Sequence, residues 1–238
     1  MKAILFSGVA TLDHREIRQS LIRIPEVIQK IKQAQSVIDQ ITNYSFDLHN
    51  CMLDDNQFLN SHPKIRRVLV NVVQLALYER HIKSHAKPHF FVGSLCNLSA
   101  IEHCLGFSYF DEYVRSVWFQ DLDQSENGEE AFETESKYQD IQKVHMIYNR
   151  KNFYYIYEFL PMGEGVTEAK KIDEADSCEK IISKLIQKFE VKQIVNLAPA
   201  DMLLSPMQNP FLLEDIQLFN TIEIDPMLSW FYPRHLAV

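Results

Sequence analysis

The chain has 238 residues, 46% of them hydrophobic, enough for a sizeable core in one domain or in a main domain with a small insert. Its net charge of −8, with no strongly basic domain and no aromatic–basic motif, sets nucleic acid aside as a partner. No apolar run reaches the roughly 18 residues of a membrane span, and four cysteines without C-x-x-C spacing fit a reducing cytoplasm.

Met1-Lys2 and the apolar residues after it faintly mimic a secretion signal. The stretch is short and Gly8 ends it like a strand-to-helix turn, so a buried first strand over Ile4–Phe6 is expected instead. A long helical pattern follows through Ile17, Leu21, Ile24, Ile28, Ile31, Ile38 and Ile41, with Pro25 placed to kink or split it. Asp54 to Pro63 reads as polar loop. Ile65, Val68, Leu69, Val72, Val73, Leu75, Ala76 and Leu77 are apolar on nearly every side, which predicts a central buried helix.

Phe90-Phe91-Val92 reads as a strand that stops at Gly93-Ser94, after which Leu98, Ile101, Cys104 and Leu105 fall at helical spacing. A further helix is expected from about Phe110 to Leu122. Asp123 to Ser136 is acidic and carries Asn127-Gly128, a loop signature. Val144–Tyr148 and Phe153–Phe159 are rich in β-branched and aromatic residues, and the polar residues between them predict a hairpin. Met162 to Gly165 reads as another loop. Ile181, Ile182, Leu185, Ile186 and Phe189 form a helical stripe, and Gln193–Leu197 a last core strand. Alternating strands and helices at both ends, with a hairpin between, predict an α/β core of residues 1–122 and 178–238 with a mainly parallel sheet. Residues 123–177 form the small insert.

The charge is localised. Residues 123 to 179 hold 14 Asp/Glu against 6 Lys/Arg, which leaves the rest of the chain neutral. Lys64, Arg66, Arg67, Arg80, Lys83 and Lys87 face a single Glu79 between His62 and His89. They read either as a solvated helix face or as a docking patch for an acidic partner or a phosphate-bearing cofactor, with Lys64, Arg66, Arg67 and Lys83 as its leading residues. His81, His85 and His89 have the i, i+4 spacing of a metal face. Pro88 interrupts them and no carboxylate or cysteine completes the set, so no metal is expected.

Ser94 carries the chemistry if any residue does. A strand that turns sharply into a helix lifts the turn side chain clear of the backbone and aims the first free N–H groups of the helix at whatever that side chain attacks. The alternative is an N-cap serine holding those N–H groups itself.

The order of these signals resembles the malonyl-CoA:acyl carrier protein transacylase family, including the acyltransferases of polyketide synthases. Phe6-Ser7-Gly8-Val9 stands where that family has Phe-Pro-Gly-Gln. Val92-Gly93-Ser94-Leu95-Cys96-Asn97 occupies the place of Gly-His-Ser-Leu-Gly-Glu. Val195 to Leu203 is similar to the family's Glu-x-Gly-Pro-Gly-x-x-Leu, and the buried helix Ile65–Tyr78 precedes the serine at the expected distance. The resemblance covers about two thirds of the chain, which is shortened in the insert. It implies an acyltransferase-like (α/β-hydrolase-like) fold and a serine that takes an acyl group from coenzyme A and passes it to a carrier-protein thiol. It also implies no permanently bound cofactor, a coenzyme A thioester as substrate, and an acyl carrier protein or synthase component as partner.

Under that resemblance Ser94 is the nucleophile, and the N–H groups of Val9 and Leu95 are the oxyanion donors. The departures have chemical consequences. Val92 and Cys96 replace the two elbow glycines, and Gly93, Asn97 and Val9 replace the family's histidine, glutamate and glutamine. Gln120 stands where the family has the arginine that pairs with the malonyl carboxylate, with Arg115 just over one turn earlier. Burying a charged half-ester without a guanidinium is costly, so a neutral acyl group is expected. The stretch aligned with the catalytic histidine, Glu174–Glu179, has none. His145 and His235 are the remaining candidates for the base, with His145 preferred. Three functions follow from these residues: acyl transfer or hydrolysis through Ser94, a degenerate relative acting as a carrier- or synthase-binding module, and a small esterase independent of carriers.

Overall fold

The structure is a computed structural model and describes residues 1–6, 12, 15–43, 46–53, 56–94, 98–119, 133–135, 144–150, 153–163, 166–176, 178–197 and 216–220. Eight strands form one sheet in the order β3-β6-β5-β4-β2-β1-β7-β8. Its parallel part comprises β4 (Val144–Arg150), β2 (Phe90–Ser94), β1 (Lys2–Leu5), β7 (Gln193–Asn196) and β8 (Gln217–Asn220). Beyond β4 the sheet continues antiparallel through β5 (Phe153–Gly163), β6 (Val166–Ala175) and β3 (Glu133–Glu135). The hairpin expected around residues 149–152 is β4–β5, closing at Arg150↔Phe153. Its strands extend the same sheet that holds β1 and β2.

The central strands are apolar on both faces because both faces are covered. Ile4, Phe6, Phe91 and Val195 enter the core under α1 (Arg15–Leu21), α2 (Pro25–Ile41), α3 (Leu48–Leu53), α5 (Pro63–Ile82), α6 (Leu98–Cys104) and α7 (Phe110–Phe119). Ala3, Leu5, Phe90, Val92 and Ile194 point the other way, onto Ile181, Ile182 and Leu185 of α8 (Cys178–Gln187). Helices on both faces of a mostly parallel sheet make an α/β fold.

Pro25 splits the first helical stretch. It is the first residue of α2, where its missing N–H costs nothing. The loop expected over Asp54–Pro63 is partly helix: α4 spans Asn56–Ser61, and Pro63 starts α5. Such a one-and-a-half-turn helix shows no periodicity. The 166–175 stretch, for which the sequence offered no assignment, is the ten-residue β6, paired with β5 through a register shift at Ile156/Tyr157. Gly106, at φ 85°, closes α6 in the left-handed region, with the Phe107 N–H donating to the Glu102 carbonyl.

Candidate functional site

In an open parallel sheet, ligands are bound outside the carboxyl ends of the strands. Here those ends are Leu5 of β1, Ser94 of β2, Asn149-Arg150 of β4, Asn196 of β7 and Asn220 of β8. Backbone bonds run past the regular ladder at this edge. The Phe6 N–H donates to the Val92 carbonyl at 2.7 Å, and the Leu197 N–H to the Leu5 carbonyl at 3.0 Å. Strand β2 therefore stays tied to β1 up to the last residues before Ser94.

Ser94 is the final residue of β2, and α6 begins four residues later at Leu98. Strand and helix are thus joined by the three residues 95–97, a connection of elbow length. Gly93 beside it is buried. Val9, Leu95 and Gln120, named above as oxyanion donors and pocket residue, lie outside the described residues, as do Cys96, Asn97, His235 and the 198–203 segment.

His145 is placed by register. It pairs with Phe90, whereas Ser94 pairs with Asn149. At about 3.3 Å per residue, four residues set His145 roughly 13 Å down the sheet from the level of Ser94. The residue level with Ser94 on β4 is an asparagine, which has no useful basicity. Register thus pairs Asn149, and not His145, with Ser94. Arg115 Nη2 donates to Gln40 Oε1 of α2 at 3.1 Å.

Helix α5 shows which end of the molecule each basic residue occupies. His81 meets Lys2 at the start of β1, while the Tyr78 ring lies 6.3 Å from Phe6 just past its end. The helix therefore runs antiparallel to β1, and its N-terminal turns point to the carboxyl edge. Lys64 is exposed and Arg66 half-buried there, with Arg66 Nη1 donating to Asn60 Oδ1 at 3.1 Å. Arg67 is only 7% exposed and belongs to the interior. Lys83, nineteen residues from Lys64 and about 28 Å away along the helix, pairs with Glu26 at 2.8 Å. The expected docking patch thus splits: Arg67 is buried, and Lys64 and Arg66 lie at the opposite end of α5 from Lys83.

The Lys83 end of α5 holds the most perturbed group with a buried cationic neighbour. The Lys2 ammonium is buried and reaches both the Ala86 carbonyl and His81 Nε2, the latter at 3.0 Å. The His81 and His85 rings stack at 4.3 Å. Burial first, then the Lys2 charge and His85, push the His81 imidazole down to about 4, and burial lowers Lys2 as well. An acceptor nitrogen facing an ammonium is a neutral one. Among the described residues no group of three or more His, Cys, Asp or Glu is arranged to hold a metal.

Several buried polar residues were not singled out by sequence. Asn71 and Gln74 are fully buried on the same face of α5 as Tyr78, and Asn196 is fully buried at the end of β7. Asn71 Nδ2 donates to the Arg67 carbonyl at 2.9 Å. Their signal was the interruption of an otherwise apolar helical run. Arg18 is fully buried in α1, although it stands outside the apolar spacing of Ile17 and Leu21.

No protein-family model matches the sequence, and no curated protein matches it significantly. Solved structures do match in fold. One is that of a type II polyketide synthase acyl-carrier protein in complex with its malonyl-transacylase, with TM-score 0.60 and 13% identity over 98% of this chain and 99% of the matched one. Another is the malonyl-CoA:acyl carrier protein transacylase of Coxiella burnetii, with TM-score 0.58 and 12% identity over 96% of both chains. The corresponding enzyme of Clostridium perfringens gives 0.54 and 9%, over 99% of this chain and 98% of its own. The fold is that of the malonyl-CoA:acyl carrier protein transacylases.

Proposed function

We propose that this chain is a cytoplasmic acyltransferase-like protein that takes an acyl group from a coenzyme A thioester onto Ser94. The acyl group then passes to the thiol of an acyl carrier protein or to water. The observation that carries this reading is the place of Ser94, the last residue of a central parallel strand at the carboxyl edge, with a helix starting four residues on. The fold is shared with transacylases, one of them solved with a carrier protein.

In this reading the N–H groups of Val9 and Leu95 receive the oxyanion, each such donor being worth roughly 3–4 kcal/mol of barrier. Gln120 lines the acyl pocket in place of a guanidinium, which favours a neutral acyl group over a malonyl one. Lys64 and Arg66 are the carrier-docking residues. Residues 123–177 are the reduced insert, whose β4 pairs with β2.

The test is intact-mass measurement after incubation with a panel of acyl-CoA and acyl-carrier donors. A single acyl adduct is expected on the native chain, none on Ser94→Ala, and a neutral donor should outrun malonyl-CoA. No adduct with any donor sinks the catalytic reading.

A second reading, a binding module that kept the fold and lost its base, is favoured by one observation: the register puts Asn149, not His145, beside Ser94. It predicts carrier binding without an adduct, weakened by charge reversal at Lys64 and Arg66 and flattened in its salt dependence.

A further inference from the structure

Asn71 is fully buried in α5, and its Oδ1 is a buried acceptor with no hydrogen-bond partner among the described residues. Its Nδ2 donates to the Arg67 carbonyl at 2.9 Å. A carbonyl only accepts, so that bond fixes which end of the amide is nitrogen and leaves the oxygen as the orphan. A buried acceptor without a donor is costly, and folded proteins keep few of them.

The level of Asn71 follows from one contact and two rises. The Tyr78 and Phe91 ring centroids are 5.7 Å apart, which ties α5 to β2 there. Ser94 lies three residues further along β2, roughly 10 Å towards the carboxyl edge. Strand β2 is parallel to β1 and α5 runs against them, so the residues of α5 before Tyr78 lie towards that same edge. Asn71 comes seven residues before Tyr78: roughly 10 Å of rise and close to two full turns, which return it to the face that carries Tyr78. Asn71 is therefore level with Ser94, on the side of α5 that faces the strands. Gln74, also fully buried, is level with Gly93.

Strand alternation adds a second observation. Phe91 enters the core under α5 and Val92 the core over α8, so Gly93 returns to the α5 side. Gly93 is buried. Having only a hydrogen there, β2 puts no side chain between its own backbone and the amides of Gln74 and Asn71.

We propose that Asn71 is a specificity-determining residue that selects acyl groups carrying a hydrogen-bond donor, a hydroxyl being the simplest, over alkyl and keto acyl groups of the same length. This rests on the reading of Ser94 as the acylated residue and narrows its neutral acyl group to a polar one. The first carbons of the acyl chain run over Gly93 towards α5, where Asn71 Oδ1 accepts from the hydroxyl. The choice of group follows from the orphan being an acceptor. A methylene leaves it unmade, and a keto oxygen sets a second acceptor against it. A site built around such a bond rejects an analogue lacking it more strongly than an apolar pocket rejects an extra methylene.

The experiment compares the native chain and Asn71→Leu on butyryl-CoA, acetoacetyl-CoA and the three positional isomers of hydroxybutyryl-CoA. Single-turnover acylation is followed by intact mass. Binding of the matching alkyl, oxoalkyl and hydroxyalkyl thioethers of coenzyme A, which cannot transfer their chain, is measured by calorimetry. On the native chain one hydroxy isomer should react about ten-fold faster than the butyryl and acetoacetyl thioesters, and its thioether should bind about ten-fold tighter. In Asn71→Leu both preferences should vanish while butyryl transfer is kept. Thermal unfolding checks that the variant is folded, and Asn71→Ala takes its place if it is not. Equal rates for all donors on the native chain overturn the proposal, and so does a hydroxyl preference that survives the substitution. If the native chain forms no adduct with any thioester, the reading of Ser94 fails and calorimetry alone judges Asn71. Equal or absent binding of the thioethers then overturns its role as well.

Discussion

Replacing His81 with glutamine should remove much of the sensitivity of this protein to mild acid. In the native state the His81 imidazole is held down to about 4, first by burial and then by the Lys2 ammonium 3.0 Å from Nε2 and the stacked His85 ring. In the unfolded chain the same group titrates near 6.5. Between these values the unfolded state binds the proton and the folded state does not. Stability is therefore fully present above about pH 6.5 and is lost as pH falls towards 4. The native chain should lose about 2 kcal/mol from this group alone between pH 7 and pH 5. Glutamine offers Lys2 a neutral acceptor that does not titrate. His89, also lowered by burial and by the terminal and Lys2 charges, remains in both proteins and cancels from the comparison. Urea unfolding of both proteins at pH 7 and pH 5 gives the difference directly. Equal losses in the two proteins would refute the claim that His81 is kept neutral by its position against Lys2.

Asp173 accepts from Lys184 at 2.5 Å and Lys188 at 2.6 Å, and these bonds hold its carboxyl far below the usual carboxylate range. Both lysines are partly exposed, so Asp173→Asn should cost only about 1 kcal/mol. The loss should shrink in 1 M salt; urea titration at two salt concentrations reads it, and no loss at low salt would contradict the pairing. The Tyr113 hydroxyl is buried with no hydrogen-bond partner among the described residues. Tyr113→Phe should then be neutral or stabilising by up to about 1 kcal/mol in thermal unfolding, and a clear destabilisation would show a hidden partner.

What the sequence determined by itself is the set of elements whose pattern is local. Phe90–Val92, Gln193–Asn196 and the Val144/Phe153 hairpin declared themselves through β-branched and aromatic runs bounded by turn residues. Pro25 marked the break between α1 and α2, and the all-round apolar run of α5 marked a helix buried on every side. The position of Ser94 at the end of a strand and ahead of a helix was legible for the same reason. The tertiary structure decided everything that depends on which strand lies beside which. Register alone sets Asn149 rather than His145 level with Ser94, a relation between residues more than fifty positions apart that no spacing rule encodes. It also decided which charges are surface and which interior. Arg66 and Arg67 are neighbours in sequence, yet 100° of helical rotation leaves one half-buried and puts the other inside. Arg18 is buried because α1 carries it between the Leu12 and Met52 carbonyls, which come together only in the fold.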